Sequence, residues 1–84
     1  MNQWFVYLVR CNDASLYTGI AKDVERRIAE HNGAGKLGAK YTRARRPVQL
    51  VYQEPHLTRS DAAKRESEIK NYGKQKKENL IAAA

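Results

Sequence analysis

The chain has 84 residues, of which 16 are lysine or arginine and 9 aspartate or glutamate, giving a formal net charge of +7. A length of this order allows one domain and buries only about 60–65% of the unfolded surface, so a polar residue on an inward face needs a reason. One cysteine and two histidines exclude a disulfide framework and a thiolate-rich zinc site, and the charge points to a polyanionic partner, most simply nucleic acid.

In chain order, Trp4-Phe5-Val6-Tyr7-Leu8-Val9 is aromatic and β-branched without alternation, the pattern of a central strand covered on both faces. It is too short to span a membrane, and no basic leader precedes it, so the chain reads as cytosolic. Asn12-Asp13-Ala14-Ser15 has turn chemistry, and Leu16-Tyr17-Thr18-Gly19-Ile20 completes a hairpin. Asp23 caps a helix from Val24 to His31 or Asn32, with Gly33 placed to stop it. Residues 33–46 carry five positive charges and no negative one, and read as a loop with room for a helical turn. Val48–Tyr52 alternates as a third strand. Thr58 and Asp61 stand in a capping-box-like spacing before a helix from Asp61 to Asn71; Gly73 interrupts, and a lysine-rich last helix ends in Ala82-Ala83-Ala84. The order ββαβαα predicts a single α/β or α+β domain over residues 1–84, with a small three-stranded antiparallel sheet flanked by helices.

Polar residues fall where the helices should be apolar. Arg27 and His31 are i and i+4 neighbours beside Val24 and Ile28. Either Arg27 snorkels past the core and His31 closes the helix end, or the two form part of a site. Glu66 shares a helix face with Ala62 and Ile69; a carboxylate there is either salt-bridged, with Arg27 as the candidate partner, or a ligand for a hard cation such as Mg²⁺. Tyr7 and Tyr17 lie within the hairpin strands. A four-residue loop would pair Tyr7 with Ile20 and send Tyr17 to the opposite face, whereas an odd loop or a bulge puts both on one face.

Taken together, Phe5-Val6-Tyr7, followed ten positions on by Tyr17-Thr18-Gly19, resembles the paired motif of the GIY-YIG nuclease superfamily. Gly19 to His31, with its Arg-x-x-x-His spacing, resembles that family's helix, and Glu66 sits where the family places a metal-binding glutamate. The resemblance runs from Phe5 to Ile81 and is closest to the small stand-alone bacterial members. Phe5 and Val6 replace the motif's Gly and Ile, and Thr18 replaces an Ile; these are backbone or packing positions. Asn79 is the candidate for an asparagine found late in several relatives.

The resemblance implies metal-dependent hydrolysis of DNA phosphodiester bonds, in repair or processing, by Tyr7, Tyr17, Arg27, His31 and Glu66. Glu66 would hold Mg²⁺ or Mn²⁺, and Arg27 would bind the phosphate and offset charge in the transition state. Tyr7 would take the proton from water, with Tyr17 and His31 positioning it; because a phenol titrates near 10, a nearby cation would have to favour the phenolate. Lys22, Lys40, Arg43, Arg45, Arg46 and Lys74 are the expected phosphate contacts, within a basic footprint running from Lys36 to Arg46 and through Lys70, Lys74, Lys76 and Lys77. Sequence specificity should be low. The competing readings are a non-catalytic nucleic-acid-binding module that keeps the fold, and a nuclease for RNA or branched DNA.

Overall fold

In the computed structural model, which describes residues 3–33 and 39–84, the elements run β1 (Trp4–Arg10), β2 (Leu16–Ala21), α1 (Val24–Asn32), α2 (Lys40–Arg43), β3 (Gln49–His56), α3 (Arg59–Lys70) and α4 (Lys74–Ala82). The order ββαβαα is as expected, with α2 as the helical turn inside the basic segment. Lys36 lies outside the described residues.

The strands form one antiparallel sheet in the order β2-β1-β3, an α+β arrangement. β1 is central and covered on both faces, which accounts for its unbroken apolar run. Val6 and Leu8 pack with Ala62 and Ile69 of α3, and with Leu80 and Ile81 of α4. Tyr7 and Val9 face the other way, against Val24 of α1 and Val48. Each fully buried aliphatic side chain here contributes roughly 1.5–3 kcal/mol.

The hairpin register decides which face each tyrosine takes. Tyr7 pairs with Gly19 and Val9 with Tyr17, so Tyr7 and Tyr17 share a face. The turn closes through a hydrogen bond from Cys11 N–H to the Ser15 carbonyl at 2.8 Å. That leaves the odd loop Asn12-Asp13-Ala14, with Ala14 in the left-handed region at φ 68°.

The helix ends follow local chemistry. The Asp23 carboxylate accepts from Arg26 N–H at 3.1 Å, and the Thr58 hydroxyl from Asp61 N–H at 3.1 Å. Gly33 ends α1 as expected, with extended backbone at φ -75° and ψ 160°. β3 runs four residues past the predicted end at Tyr52, because Gln53–His56 continue the ladder to Tyr7–Trp4. Pro55 is tolerated since β3 is an edge strand.

Two polar ties hold the helices to the sheet. Arg10 forks onto Glu78 of α4 at 2.6 and 2.8 Å. Glu54 accepts from Tyr52 at 2.6 Å and from Arg65 of α3 at 3.0 Å, with His56 Nε2 2.6 Å away. Burial pushes the Glu54 carboxyl up, but these bonds outweigh it and hold it below the usual range. Among the described residues, no helix is long and apolar enough to cross a membrane.

Candidate functional site

Tyr7 is 1% exposed, and its ring lies across the backbone of its β2 partner, Gly19. A Cβ on Gly19 would strike the Tyr7 hydroxyl and stand 2.6 Å from Cζ. Glycine is therefore required here for close approach, since any side chain would evict the phenol.

The Tyr7 hydroxyl lies 2.8 Å from Nε2 of His31, a fully buried residue in the last turn of α1. The other ring nitrogen, Nδ1, lies 2.8 Å from Thr42 Oγ1 in α2. The Thr42 hydroxyl donates to the Ala39 carbonyl at 2.9 Å, and Ala39 N–H faces Nδ1 at 3.4 Å. His31 is thus held inside rather than closing the helix end.

Tyr17 meets the edge of His31, with ring centroids 5.5 Å apart, and stacks on Tyr41 at 5.8 Å. Arg45 covers the outer face of Tyr41, its Cζ 3.9 Å from the ring centroid. These four residues form a continuous ladder from solvent to the buried imidazole.

Arg27 is half-buried, and its guanidinium donates to Glu30 at 2.9 Å. It lies beside the Tyr7 hydroxyl, and Glu66 is near enough for its charge to act on the same phenol. The ion pairs formed are Arg27–Glu30 at 2.9 Å and Glu66–Lys70 at 3.6 Å, in place of the Arg27–Glu66 bridge the sequence allowed. Tyr7, Tyr17, Arg27 and His31 come together on the α1 face of the sheet, whereas Glu66 is carried by α3, which packs on the other face, within electrostatic range of the Tyr7 phenol. Asn79 is apart from them, exposed on α4 and accepting from Gln75 at 3.0 Å. Thr18 turns toward the α3 face, and its hydroxyl has no hydrogen-bond partner among the described residues.

Burial pushes the Tyr7 phenol up to about 12, against the pull of Arg27 and with added pressure from Tyr17 and Glu66. The expected cation is present, but burial outweighs it, so Tyr7 is a neutral phenol at pH 7. His31 is pushed down to about 4, by burial first and by Arg27 and Arg46, with Glu30 opposing. Between about 4 and 6.5 the unfolded state therefore binds a proton that the folded state refuses. Stability should fall by about 2–3 kcal/mol as pH drops through that window. Urea unfolding from pH 7 to pH 4 checks this: His31→Gln should flatten the slope, and an unchanged slope would remove His31 as its source.

A family model described as the GIY-YIG catalytic domain matches residues 3–79. The chain belongs to this family. It is 60% identical over 81 residues to a UPF0213 protein of Staphylococcus epidermidis, covering 96% of each chain. It is 57% identical over 82 residues to one from Staphylococcus saprophyticus, covering 98% of each. The solution NMR structure of a UPF0213 protein from Bacillus halodurans superposes with a TM-score of 0.61 at 41% identity, covering 96% of this chain and 84% of that one. A second NMR structure, of a protein from E. faecalis, gives 0.63 at 41% identity, with coverages of 98% and 86%. GIY-YIG domains are nuclease domains, and the substrate class is nucleic acid.

The basic residues of this GIY-YIG domain divide into two groups. Lys40 and Arg43 are exposed on α2 and form no ion pair among the described residues. Lys22 is exposed, its Nζ 5.4 Å from the Trp4 ring centroid. Lys74 and Lys77 line a shallow cleft of about 240 Å³ with Asp13, Ser15, Leu16 and Tyr41. Arg45 and Arg46, expected as phosphate contacts, also make bonds within the fold. Arg45 donates to Asp13 at 3.0 Å and to the Tyr41 carbonyl at 2.9 Å, and Arg46 to the His31 carbonyl at 2.6 Å. Sequence reasoning missed Glu30, Tyr41 and Thr42, the residues that hold Arg27, Tyr17 and His31. Only Glu30 had a signal, its i+3 spacing from Arg27.

Proposed function

We propose that this chain is a metal-dependent endonuclease that hydrolyses DNA phosphodiester bonds with low intrinsic sequence specificity, working as a single catalytic domain in the cytosol. The observation that carries the reading is the Tyr7–His31 hydrogen bond of 2.8 Å, laid over Gly19, with the Arg27 guanidinium beside the same phenol. A module that only binds nucleic acid has no need of this arrangement.

Among the described residues, no three His, Cys, Asp or Glu side chains cluster as a metal cage. One half-buried carboxylate suits Mg²⁺ or Mn²⁺, which accept a single protein ligand and complete their shells with water and phosphate oxygens. Glu66 would hold the ion, which when bound supplies a Lewis acid beside the scissile phosphate. Arg27, kept in place by Glu30, binds that phosphate through its fork and is already positioned as negative charge grows. Tyr7 meets the attacking water. A phenol at about 12 cannot stand ionised at neutral pH, so Tyr7 gives its proton to His31 as it takes one from water. Burial is the main reason the imidazole resists a proton, with Arg27 and Arg46 adding to it; the phosphate's negative charge offsets the two arginines and stabilises the imidazolium in the buried site. Tyr17 packs the His31 ring into line. Lys22, Lys40, Arg43 and Lys74 follow the flanking phosphates, which fixes position without reading bases.

The test is incubation of purified protein with plasmid, single-stranded and branched DNA and with RNA, with and without Mg²⁺. Metal-dependent cleavage of DNA is expected. Glu66→Ala should abolish it while leaving DNA binding intact and changing stability by under about 1 kcal/mol, since its Lys70 pair is half exposed. Cleavage undiminished in Glu66→Ala would end the metal-ligand assignment, and binding without cleavage by the wild type would favour the non-catalytic module.

A further inference from the structure

Thr42 is fully buried in a segment otherwise rich in exposed charge, and the chemistry above makes no use of it. Its oxygen stands 2.8 Å from His31 Nδ1 and 2.9 Å from the Ala39 carbonyl. On the opposite side of the ring, Nε2 stands 2.8 Å from the Tyr7 hydroxyl. Two arrangements of protons fit these positions.

In the first, the Thr42 hydroxyl donates to the Ala39 carbonyl, Nδ1–H donates to Thr42, and the Tyr7 hydroxyl donates to a bare Nε2. Every side-chain donor has an acceptor. In the second, the Thr42 hydroxyl turns onto a bare Nδ1 and Nε2–H points at the Tyr7 oxygen. Among the described residues the Tyr7 hydroxyl proton then meets Nε2–H and the Arg27 guanidinium, neither of which accepts, so it must point at the very water from which Tyr7 has to take a proton. In the first arrangement that proton is matched by Nε2, and the Tyr7 oxygen stays open to accept from water. The Ala39 N–H also points at Nδ1 and would suit a bare nitrogen, but at 3.4 Å it is the longest and weakest contact of the ring, against 2.8 Å to Thr42 and 2.8 Å to Tyr7.

We infer that Thr42 is a positioning residue that fixes His31 as the Nδ1–H tautomer and so keeps the Nε2 lone pair on the Tyr7 hydroxyl. Its role in catalysis rests on the nuclease reading; the tautomer itself does not. With this tautomer the proton path has a direction. A water O–H bond breaks as one forms on the Tyr7 oxygen. The Tyr7 O–H bond breaks as Nε2–H forms. The water oxygen bonds to phosphorus, the bond to the leaving oxygen breaks, that oxygen takes a proton from a solvent water, and His31 gives its proton to the hydroxide so formed, which restores both groups. With the opposite tautomer, Nε2–H would already occupy the Tyr7 oxygen and the step could not begin. The identity of the group on one imidazole nitrogen thus sets what the other can do.

Long-range ¹H–¹⁵N NMR of the full chain at pH 7 distinguishes a protonated ring nitrogen from a bare one. Wild type should show Nδ1 protonated and Nε2 bare. Thr42→Val should lose that preference, and its kcat should fall about 10- to 100-fold, as for other outer partners of a functional histidine, with KM changed less than about twofold. Thr42→Ser should retain both the tautomer and the rate. A wild-type spectrum with Nε2 protonated would overturn the inference without any variant, so failure of Thr42→Val to fold cannot shelter it. Thr42→Val that keeps the Nδ1–H tautomer and full kcat would overturn it too, whatever the change in stability. If wild type shows the Nδ1–H tautomer but cleaves no nucleic acid, the nuclease reading fails and the tautomer assignment stands.

Discussion

Arg27→Ala is expected to lower single-turnover cleavage by about 10²-fold or more while leaving DNA affinity within about threefold. The side chain is half-buried and held by Glu30 at 2.9 Å, beside the Tyr7 hydroxyl. A charge fixed in this way costs no reorganisation when the phosphate gains charge, so its loss falls on the rate rather than on binding. Lys40 and Arg43 should behave in the opposite sense. They are exposed and unpaired among the described residues, so replacing both should weaken binding and reduce the log–log salt slope by about 2, with kcat at saturating DNA unchanged. Arg45 and Arg46 are unsuitable for this comparison. Removing them would release the Tyr41 stack and the His31 carbonyl, and so disturb the site itself. Single-turnover rates and binding at several salt concentrations separate the two groups. Arg27→Ala losing affinity alone while Lys40/Arg43 lose kcat alone would move the active site to the basic segment.

Gly19→Ala should be damaging out of proportion to the one methyl group it adds. The new Cβ would collide with the Tyr7 hydroxyl and lie 2.6 Å from Cζ. The ring cannot swing aside cheaply, because its hydroxyl is tied to buried His31. Overpacking of this kind costs about 1–3 kcal/mol, and a displacement of about 1 Å at a reacting group lowers rates by about 10². Gly73→Ala is the control, since a Cβ there meets nothing within 4 Å. Urea unfolding and cleavage rates for both variants provide the check. A Gly19→Ala protein as stable and as active as Gly73→Ala would mean that Tyr7 does not need its place over the backbone.

Much of the architecture was legible in the residues. The unbroken apolar run of β1 announced a strand covered twice, and Asp23 and Thr58 announced their helices. The register was not legible, because it turns on Ala14 adopting a left-handed conformation that its side chain does not advertise. The length of β3 was not legible, because a carboxylate and a proline, Glu54 and Pro55, continue a strand only where the edge position and the Arg65 partner accommodate them. In the site, the five residues of the family pattern were readable and their supports were not. Thr42 is separated from His31 by eleven positions and embedded in a basic run, where a buried hydroxyl leaves no mark on composition. The internal bonds of Arg45 and Arg46 were hidden for a related reason: the Asp13 partner of Arg45 is 32 residues away, and nothing in a basic run marks such a pairing.

The odd three-residue turn between β1 and β2 has a consequence for how this domain can vary. Surface hairpins are ordinarily where chains tolerate added residues. Here one inserted residue would exchange the two sides of β2, sending Tyr17 to α3 and bringing a neighbour's side chain onto the Tyr7 ring where Gly19 now lies. Two inserted residues would restore the parity and spare both. An odd change is therefore acceptable only where the extra residue is taken up outside the ladder, as a longer loop or a bulge beyond the Cys11–Ser15 pair, which makes an outwardly permissive loop a counted segment of the chain.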